Sequence, residues 1–183
     1  GAHHRAVTPT DGDPDPDALL DHSQHLSCGV DVVQGLTSTG QADGLGTLWP
    51  HLQLACQAST ADVIVDLGRL DPRSPTLSLA RGADHLMLVA TPTLASVVHL
   101  SDALPSLAGA LPNLERATTV TPVLVGPDAS ARRDRDDLDD IMRRIPITLA
   151  GLRPAASIPY DLDALQRLER GDRVSGRLGR TLL

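Results

Sequence analysis

The sequence contains no lysine and no phenylalanine, and its 183 residues include one tryptophan, one tyrosine and two glutamates. The absence of lysine excludes every mechanism that needs a lysine ammonium from this chain, such as a Schiff base or a P-loop lysine. All 16 basic residues are therefore arginine, and 21 of the 23 acidic residues are aspartate. A GC-rich coding sequence explains this bias as well as any physical cause does.

The apolar content of 41% comes almost entirely from leucine, valine, alanine and isoleucine. Such a composition is typical of the aliphatic core around a buried parallel sheet. The formal charge of −7 argues against a surface that is basic overall, so nucleic-acid binding would need a local arginine patch. Two cysteines, Cys28 and Cys56, allow one disulfide at most, and unpaired thiols in a reducing compartment are expected. Apolar runs such as 86–90 are too short to cross a bilayer.

The N-terminal third is irregular. Residues 1–16 are rich in proline, glycine and aspartate and are expected to form a flexible lead-in. Asp17 is placed to cap a short helical stretch, and the β-branched run 30–33 predicts a short strand. A loop over 35–45 then leads into a helix that ends near Ala58.

From residue 61 onward, aliphatic runs alternate with helical segments. This alternation predicts an α/β domain over residues 17–171, with a mostly parallel sheet and helices on both of its faces. The predicted strands are 61–66, 84–90, 118–125 and either 147–152 or 155–158. The predicted helices are 75–81, 94–111, 131–144 and 161–170.

In such sheets ligands bind outside the carboxyl ends of the strands, so the candidate residues lie in the turns 66–69, 91–93, 126–128 and 159–161. Asp66 precedes Gly68, and the pair suits a Mg²⁺ water shell beside a phosphate. The alternative is that Asp66 caps the next turn and Gly68 only permits it. Asp161 is a candidate N-cap of the last helix, and Tyr160 either packs on a ligand ring or covers the helix start.

Two other groups of polar residues have simpler interpretations. His22 and His25 are three residues apart and are expected on a solvated helix face, since no further ligands accompany them. Arginines cluster near the C-terminus, around an arginine-rich tail at 172–183. They suit contact with a phosphate backbone or an anionic lipid surface, or they belong to a solvated tail. These arginines are Arg167, Arg170, Arg173, Arg177 and Arg180.

Taken in order, four segments resemble the ParA/MinD family of deviant P-loop ATPases. They are the run 61–68 that closes on an acid and a glycine, the Ala-Asp-to-Pro-Thr run 83–93, the strand 122–125 and the Ile-Pro-Tyr-Asp turn 158–161. The resemblance covers about residues 17–171. It implies a P-loop NTPase-like fold without the N-terminal phosphate-loop strand.

The resemblance also implies roles for particular residues. Asp66 would bind Mg²⁺ through water, and Gly68 would sense the γ-phosphate of ATP. Pro159, Tyr160 and Asp161 would flank the adenine ring.

The chain departs from the family at two places. Gly126 and Pro127 follow the strand after which the family often has an asparagine for the base. The glycine-rich phosphate loop with its lysines is missing, and with it a central strand. Each buried backbone N–H or C=O group that a missing strand leaves unpaired costs about 1–3 kcal/mol of stability. The natural protein is therefore expected to carry a further N-terminal portion or a rearranged sheet, and these 183 residues alone are not expected to hydrolyse ATP.

The resemblance implies part of an ATPase for intracellular positioning or partition, such as chromosome or plasmid segregation or septum or organelle placement. It implies a homodimer in the bacterial cytoplasm, with a regulatory partner protein, and the C-terminal arginines would contact DNA or membrane. One alternative is a non-hydrolysing scaffold or localisation factor for a secretion or pilus apparatus. Another is an unrelated Rossmann-like binding module, which is disfavoured because no G-x-G-x-x-G follows a strand.

Overall fold

A computed structural model describes residues 15–17, 19–26, 29–36, 41, 44–115, 118–147, 149 and 151–172. The predicted lead-in 1–16 and the predicted tail 172–183 therefore lie almost entirely outside the described residues, as does Cys28.

The regular elements lie mainly in the second half of the chain. The helices are α1 (Trp49–Ala58), α2 (Leu77–Arg81), α3 (Leu94–Ala110), α4 (Ala131–Arg144) and α5 (Leu162–Glu169). The strands are β1 (Gln24–His25), β2 (Asp31–Val32), β3 (His85–Ala90), β4 (Thr119–Gly126), β5 (Gly151–Leu152) and β6 (Ala156–Pro159).

Four strands form one sheet in which every pairing among the described residues is parallel. β4 lies at its centre. On one side β4 pairs with β3, from His85 opposite Thr119 onward. On the other side it pairs first with β5 and then with β6, which ends with Pro159 opposite Gly126. The predicted α/β class with a mostly parallel sheet is thus confirmed, and both proposed fourth strands exist as short pieces.

Two clusters of buried hydrophobic residues lie on one face of this sheet. Leu88 and Ala90 of β3 and Leu124 of β4 pack with Leu104 of α3 and Leu138 of α4. α2 covers the same face near the amino ends of the strands, where its Leu77 and Ala80 pack in a cluster with Val120 of β4. On the opposite face of β3, alternate side chains are exposed. The prediction of helices on both faces is therefore wrong for this strand among the described residues.

A buried polar network fixes the amino ends of the two longest strands. The Asn113 amide nitrogen donates to the Ala80 carbonyl at 3.3 Å and to the Thr118 hydroxyl at 2.7 Å. The Thr118 hydroxyl donates in turn to the Ala83 carbonyl at 3.1 Å. Because Thr118 is buried, these bonds replace contacts with water, and they join the turn before β3 to the turn before β4.

Most predicted helices are confirmed within three residues of their bounds, and α4 spans the predicted 131–144. Pro50 occupies the first turn of α1, where its missing N–H costs nothing. The Asp161 carboxylate accepts the Ala164 N–H at 2.9 Å, as its predicted N-cap role requires.

The clearest correction concerns the aliphatic run 61–66, which is not a strand. Its three β-branched residues are exposed, Ile64 to 84%. Local composition favours a strand here, but a strand forms only where a neighbouring strand supplies hydrogen-bond partners. The described part of the chain supplies none to this run.

Two N-terminal predictions are also corrected. The run 30–33 contributes β2, but β2 pairs antiparallel with β1 in a small hairpin outside the parallel sheet. The helical stretch after Asp17 is a single 3₁₀ turn, Leu20–His22. Asp17 supports that turn with its backbone carbonyl, which accepts the Leu20 N–H at 2.9 Å, rather than with its side chain.

Candidate functional site

The carboxyl ends of the parallel strands meet at one edge of the sheet. β3, β4 and β6 end at Ala90, Gly126 and Pro159. The Tyr160 N–H donates to the Gly126 carbonyl at 2.9 Å, which joins the ends of β4 and β6. A side chain at Gly126 would place its Cβ 2.6 Å from Cγ of Pro92, so glycine allows the turn after β3 to approach β4 closely.

A cleft of about 420 Å³ opens at this edge, beyond β4 and β6. The predicted site residues Pro159, Tyr160 and Asp161, which are consecutive in the chain, all line it. Tyr160 is 62% exposed, which leaves its ring free to stack on a planar ligand. The described residues that line it are Asp128, Pro159, Tyr160, Asp161, Leu162 and Asp163.

Carboxylates dominate the side-chain chemistry of this cleft. Ionised Asp128 and Asp163 can only accept hydrogen bonds, and one Asp161 oxygen already accepts the N–H at the start of α5. The cleft therefore suits ligand atoms that donate hydrogen bonds, and it disfavours phosphate. Any phosphate would have to lie elsewhere along the sheet edge.

Asp66 and Gly68 form a tight turn that is not part of the cleft lining. The Asp66 carboxylate accepts the Gly68 N–H at 2.8 Å. Gly68 has a φ of +59°, and a Cβ there would meet open space. Glycine is thus needed for the backbone conformation rather than for room. This geometry is that of the capping alternative, and the second oxygen of Asp66 makes no hydrogen bond to the described residues.

A metal site built from several side chains is absent from the described residues. Among these, no group of three or more His, Cys, Asp or Glu side chains is placed to hold a metal ion. The prediction that Asp66 binds Mg²⁺ through water involves a single carboxylate and is a different kind of site. His22 and His25 do not share a helix face as predicted: His22 ends a 3₁₀ turn, and His25 in β1 pairs with Asp31 at 2.8 Å.

The predicted arginine cluster is only partly described. Arg167 lies in the last turn of α5, Arg170 follows that helix, and both are exposed. Arg173, Arg177 and Arg180 lie outside the described residues. No helix in the described part of the chain is both long and apolar enough to cross a membrane.

Asp128 was a candidate in the sequence because it follows the end of a strand, and the structure places it in the lining of the cleft. Two other lining residues were not predicted from the sequence. Leu162 and Asp163 lie in the first turn of α5 and carry no such signal, because only the fold of that turn aims them at the cleft.

The sequence matches no protein-family model and no curated protein.

Proposed function

We propose that the chain is part of a ParA/MinD-like ATPase that acts in intracellular positioning or partition, with ATP and Mg²⁺ as its cofactors. The chain as given is not catalytically competent, because it has no lysine to neutralise the β- and γ-phosphates. In the complete protein Asp66 would hold the Mg²⁺ water shell, and Gly68 would donate to the γ-phosphate.

The observation that carries this proposal is the cleft at the carboxyl ends of β4 and β6. The three residues that the resemblance assigns to the base, Pro159, Tyr160 and Asp161, line one cavity at the ligand-binding edge of a parallel sheet. Its volume lies within the range of small-molecule sites. Carboxylate acceptors suit the exocyclic amino group of a base better than they suit phosphate.

The second candidate is a non-hydrolysing scaffold or localisation factor of the same fold. It is supported by the Asp66 carboxylate, one oxygen of which accepts the Gly68 N–H and so stabilises a turn. Homodimerisation, a regulatory partner protein and contact of the arginines with DNA or anionic membrane belong to both candidates as proposals.

The proposal is tested by titrating the 183-residue protein with adenosine and following the ring protons of Tyr160 by NMR. Tyr160 is the sole tyrosine, so its signals are unambiguous. The adenine base of adenosine has about ten heavy atoms, and about 0.4 kcal/mol for each of them, with the ribose left in solvent, corresponds to a Kd on the order of 1 mM. Adenosine should shift the Tyr160 signals with that affinity.

Two controls accompany the titration. Inorganic triphosphate should leave Tyr160 unmoved, because the described lining of the cleft has three carboxylates and no cationic side chain. The single indole, Trp49, lies in α1 outside the cleft lining and should not respond to adenosine. An unmoved Tyr160 at 10-fold the expected Kd, taken as about 10 mM adenosine, would contradict the base site. Mg²⁺-dependent ATP hydrolysis by this chain, abolished by Asp66→Ala, would contradict the proposal that these 183 residues alone are not catalytically competent.

A further inference from the structure

A groove of about 280 Å³ lies between α3 and the carboxyl end of α4. None of its lining residues lines the cleft beyond β4 and β6, so it is a separate surface. Its volume lies below the range of roughly 300–1,000 Å³ that is typical of small-molecule sites. The groove therefore has room for one or two apolar side chains rather than for a whole small molecule. Its described lining is Ser101, Ile141, Arg144, Ile145 and Pro146.

An exposed apolar row on α3 leads into this groove. Leu94 and Val98 precede Ser101 at helical spacing, so the three side chains lie on one face of α3. Leu94 is 80% exposed and Val98 is 45% exposed. A helix face that is turned to solvent normally carries polar residues at such positions. From Leu94 to Ser101 the row covers about 10 Å of helix, and it extends the apolar surface of the groove along α3.

Arg144 gives the groove its charge. It is the last residue of α4 and is exposed. Its neighbour Arg143 pairs with Asp140, whereas Arg144 has no ion-pair partner in the described part of the chain. Arg143 already places a cation beside the helix dipole, so the dipole does not require a second one. No acidic side chain is among the described lining residues, and the groove thus carries an unpaired positive charge beside its apolar surface.

We propose that this surface binds an amphipathic helix of a partner protein, with apolar side chains along one face and a carboxylate at the end of that face. One apolar side chain fills the groove, others pack on Val98 and Leu94, and the carboxylate pairs with Arg144. Apolar anchors at i, i+4 and i+7 are the usual means by which a helix binds in a groove. A phosphate backbone would offer a charge to Arg144 but nothing apolar to the row on α3. This interaction surface does not depend on the proposed nucleotide site.

The test titrates the isotope-labelled 183-residue protein with the synthetic peptide Glu-Gln-Ala-Leu-Gln-Ala-Ala-Leu-Gln-Ala-Leu-Gln-Ala-Glu and records NMR spectra. The leucines of this acidic peptide follow the i, i+4, i+7 spacing, and a glutamate stands at each end of the leucine face. A carboxylate therefore reaches Arg144 in either direction of binding. The amide signals of Ser101, Ile141 and Ile145 should shift until they saturate, while that of Tyr160 in the cleft should not move.

Two control peptides separate the apolar contribution from the charged one. Serine in place of all three leucines should abolish binding, because each leucine that is lost weakens binding about tenfold or more. Glutamine in place of both glutamates should weaken binding about two- to fivefold, which is the range of an exposed ion pair.

Three protein variants locate the interaction. Arg144→Gln should weaken binding of the acidic peptide about two- to fivefold and leave binding of the glutamine peptide unchanged, since the same ion pair is lost only once. Arg132→Gln is the matched control, because Arg132 is an exposed residue in the first turn of α4 outside the groove lining, and it should change neither affinity. Leu94→Ser should weaken binding of both peptides about tenfold, since it removes an apolar contact from an exposed position.

Four outcomes would overturn the proposal. Groove signals that the acidic peptide leaves unshifted would exclude a helix of this chemistry. Equal effects of Arg144→Gln and Arg132→Gln would reduce the interaction to the general charge of the protein, and undiminished binding of the serine peptide would exclude the apolar row. Groove signals that shift with protein concentration alone would assign the surface to a second copy. The adenosine titration of the cleft is unaffected by all four, so failure here and failure of the proposed function are separate results.

Discussion

The backbone of β5 lies close to that of β4 at Gly151, and adding one methyl group there tests the register of β5 on β4. Gly151 pairs with Thr119 in the parallel ladder. A Cβ at Gly151 would lie 2.8 Å from the Thr118 carbonyl oxygen and 2.9 Å from Cα of Thr119. Both are backbone atoms of the central strand or of the residue that leads into it, so they cannot move aside without disturbing the core.

Gly151→Ala is therefore expected to lower the free energy of unfolding by about 1–3 kcal/mol, the usual cost of overpacking. For a chain of this size that corresponds to a fall in Tm of roughly 3–10 °C. Urea denaturation followed by circular dichroism measures the free energy, and a thermal scan measures the Tm. β5 is short, so its displacement should leave most of the helical signal unchanged.

Two other glycines serve as matched controls. At Gly82 a Cβ would meet Cγ of Gln53 at 2.5 Å, but that side chain is flexible and can move. At Gly109, within α3, a Cβ would meet nothing within 4 Å, so alanine should stabilise the helix by about 0.5–1 kcal/mol. A Gly151→Ala variant that is destabilised no more than Gly82→Ala would refute the close approach of β5 to β4.

Three further predictions concern single side chains. Thr118→Val leaves the buried Asn113 amide without one acceptor, so it should lower the free energy of unfolding in urea by about 1–3 kcal/mol. Thr118→Ser retains the hydroxyl and should therefore retain most of that stability. Asp161→Ala removes the N-cap of α5 and should lower the free energy of unfolding by about 1 kcal/mol, whereas Asp161→Asn retains the cap. An equal loss of stability in both variants would argue against capping. Burial raises the pKa of the Cys56 thiol, so less thiolate is present at pH 8 than in the unfolded chain. In a Cys28→Ser background, thiol labelling of Cys56 should be slower in the folded protein than in urea, and equal rates would contradict this.

Most helices and their boundaries were predicted correctly from the sequence. The predicted span of α4 is the observed one, because Leu138 and Met142 fall on one face of an otherwise charged segment. The start of α5 was marked by Asp161, whose side chain satisfies a local N–H. Each of these signals acts between residues three or four apart, so no distant part of the chain is needed to interpret it.

The residues of the candidate site also divide into those that a local sequence pattern predicts and those that only the fold places there. Pro159, Tyr160 and Asp161 were identified because they follow a strand and precede a helix, a local pattern. Asp163 lines the cleft only through the packing of α5 near the end of β6, which no local pattern records. For Asp66 the sequence left two roles open, and the observed bond to the Gly68 N–H is one that a two-residue spacing allows.

The sequence by itself determined the α/β class, the positions of β3 and β4 and nearly all the helices. Only the tertiary structure decided that the equally aliphatic run 61–66 stays unpaired while β4 becomes the central strand. The physical reason is the range of the hydrogen bonds. A helix satisfies its backbone within its own segment, whereas a strand needs a partner that is distant in sequence. Whether that partner is present is a property of the whole fold, and it separates β4, paired on both sides, from the open outer edge of β3.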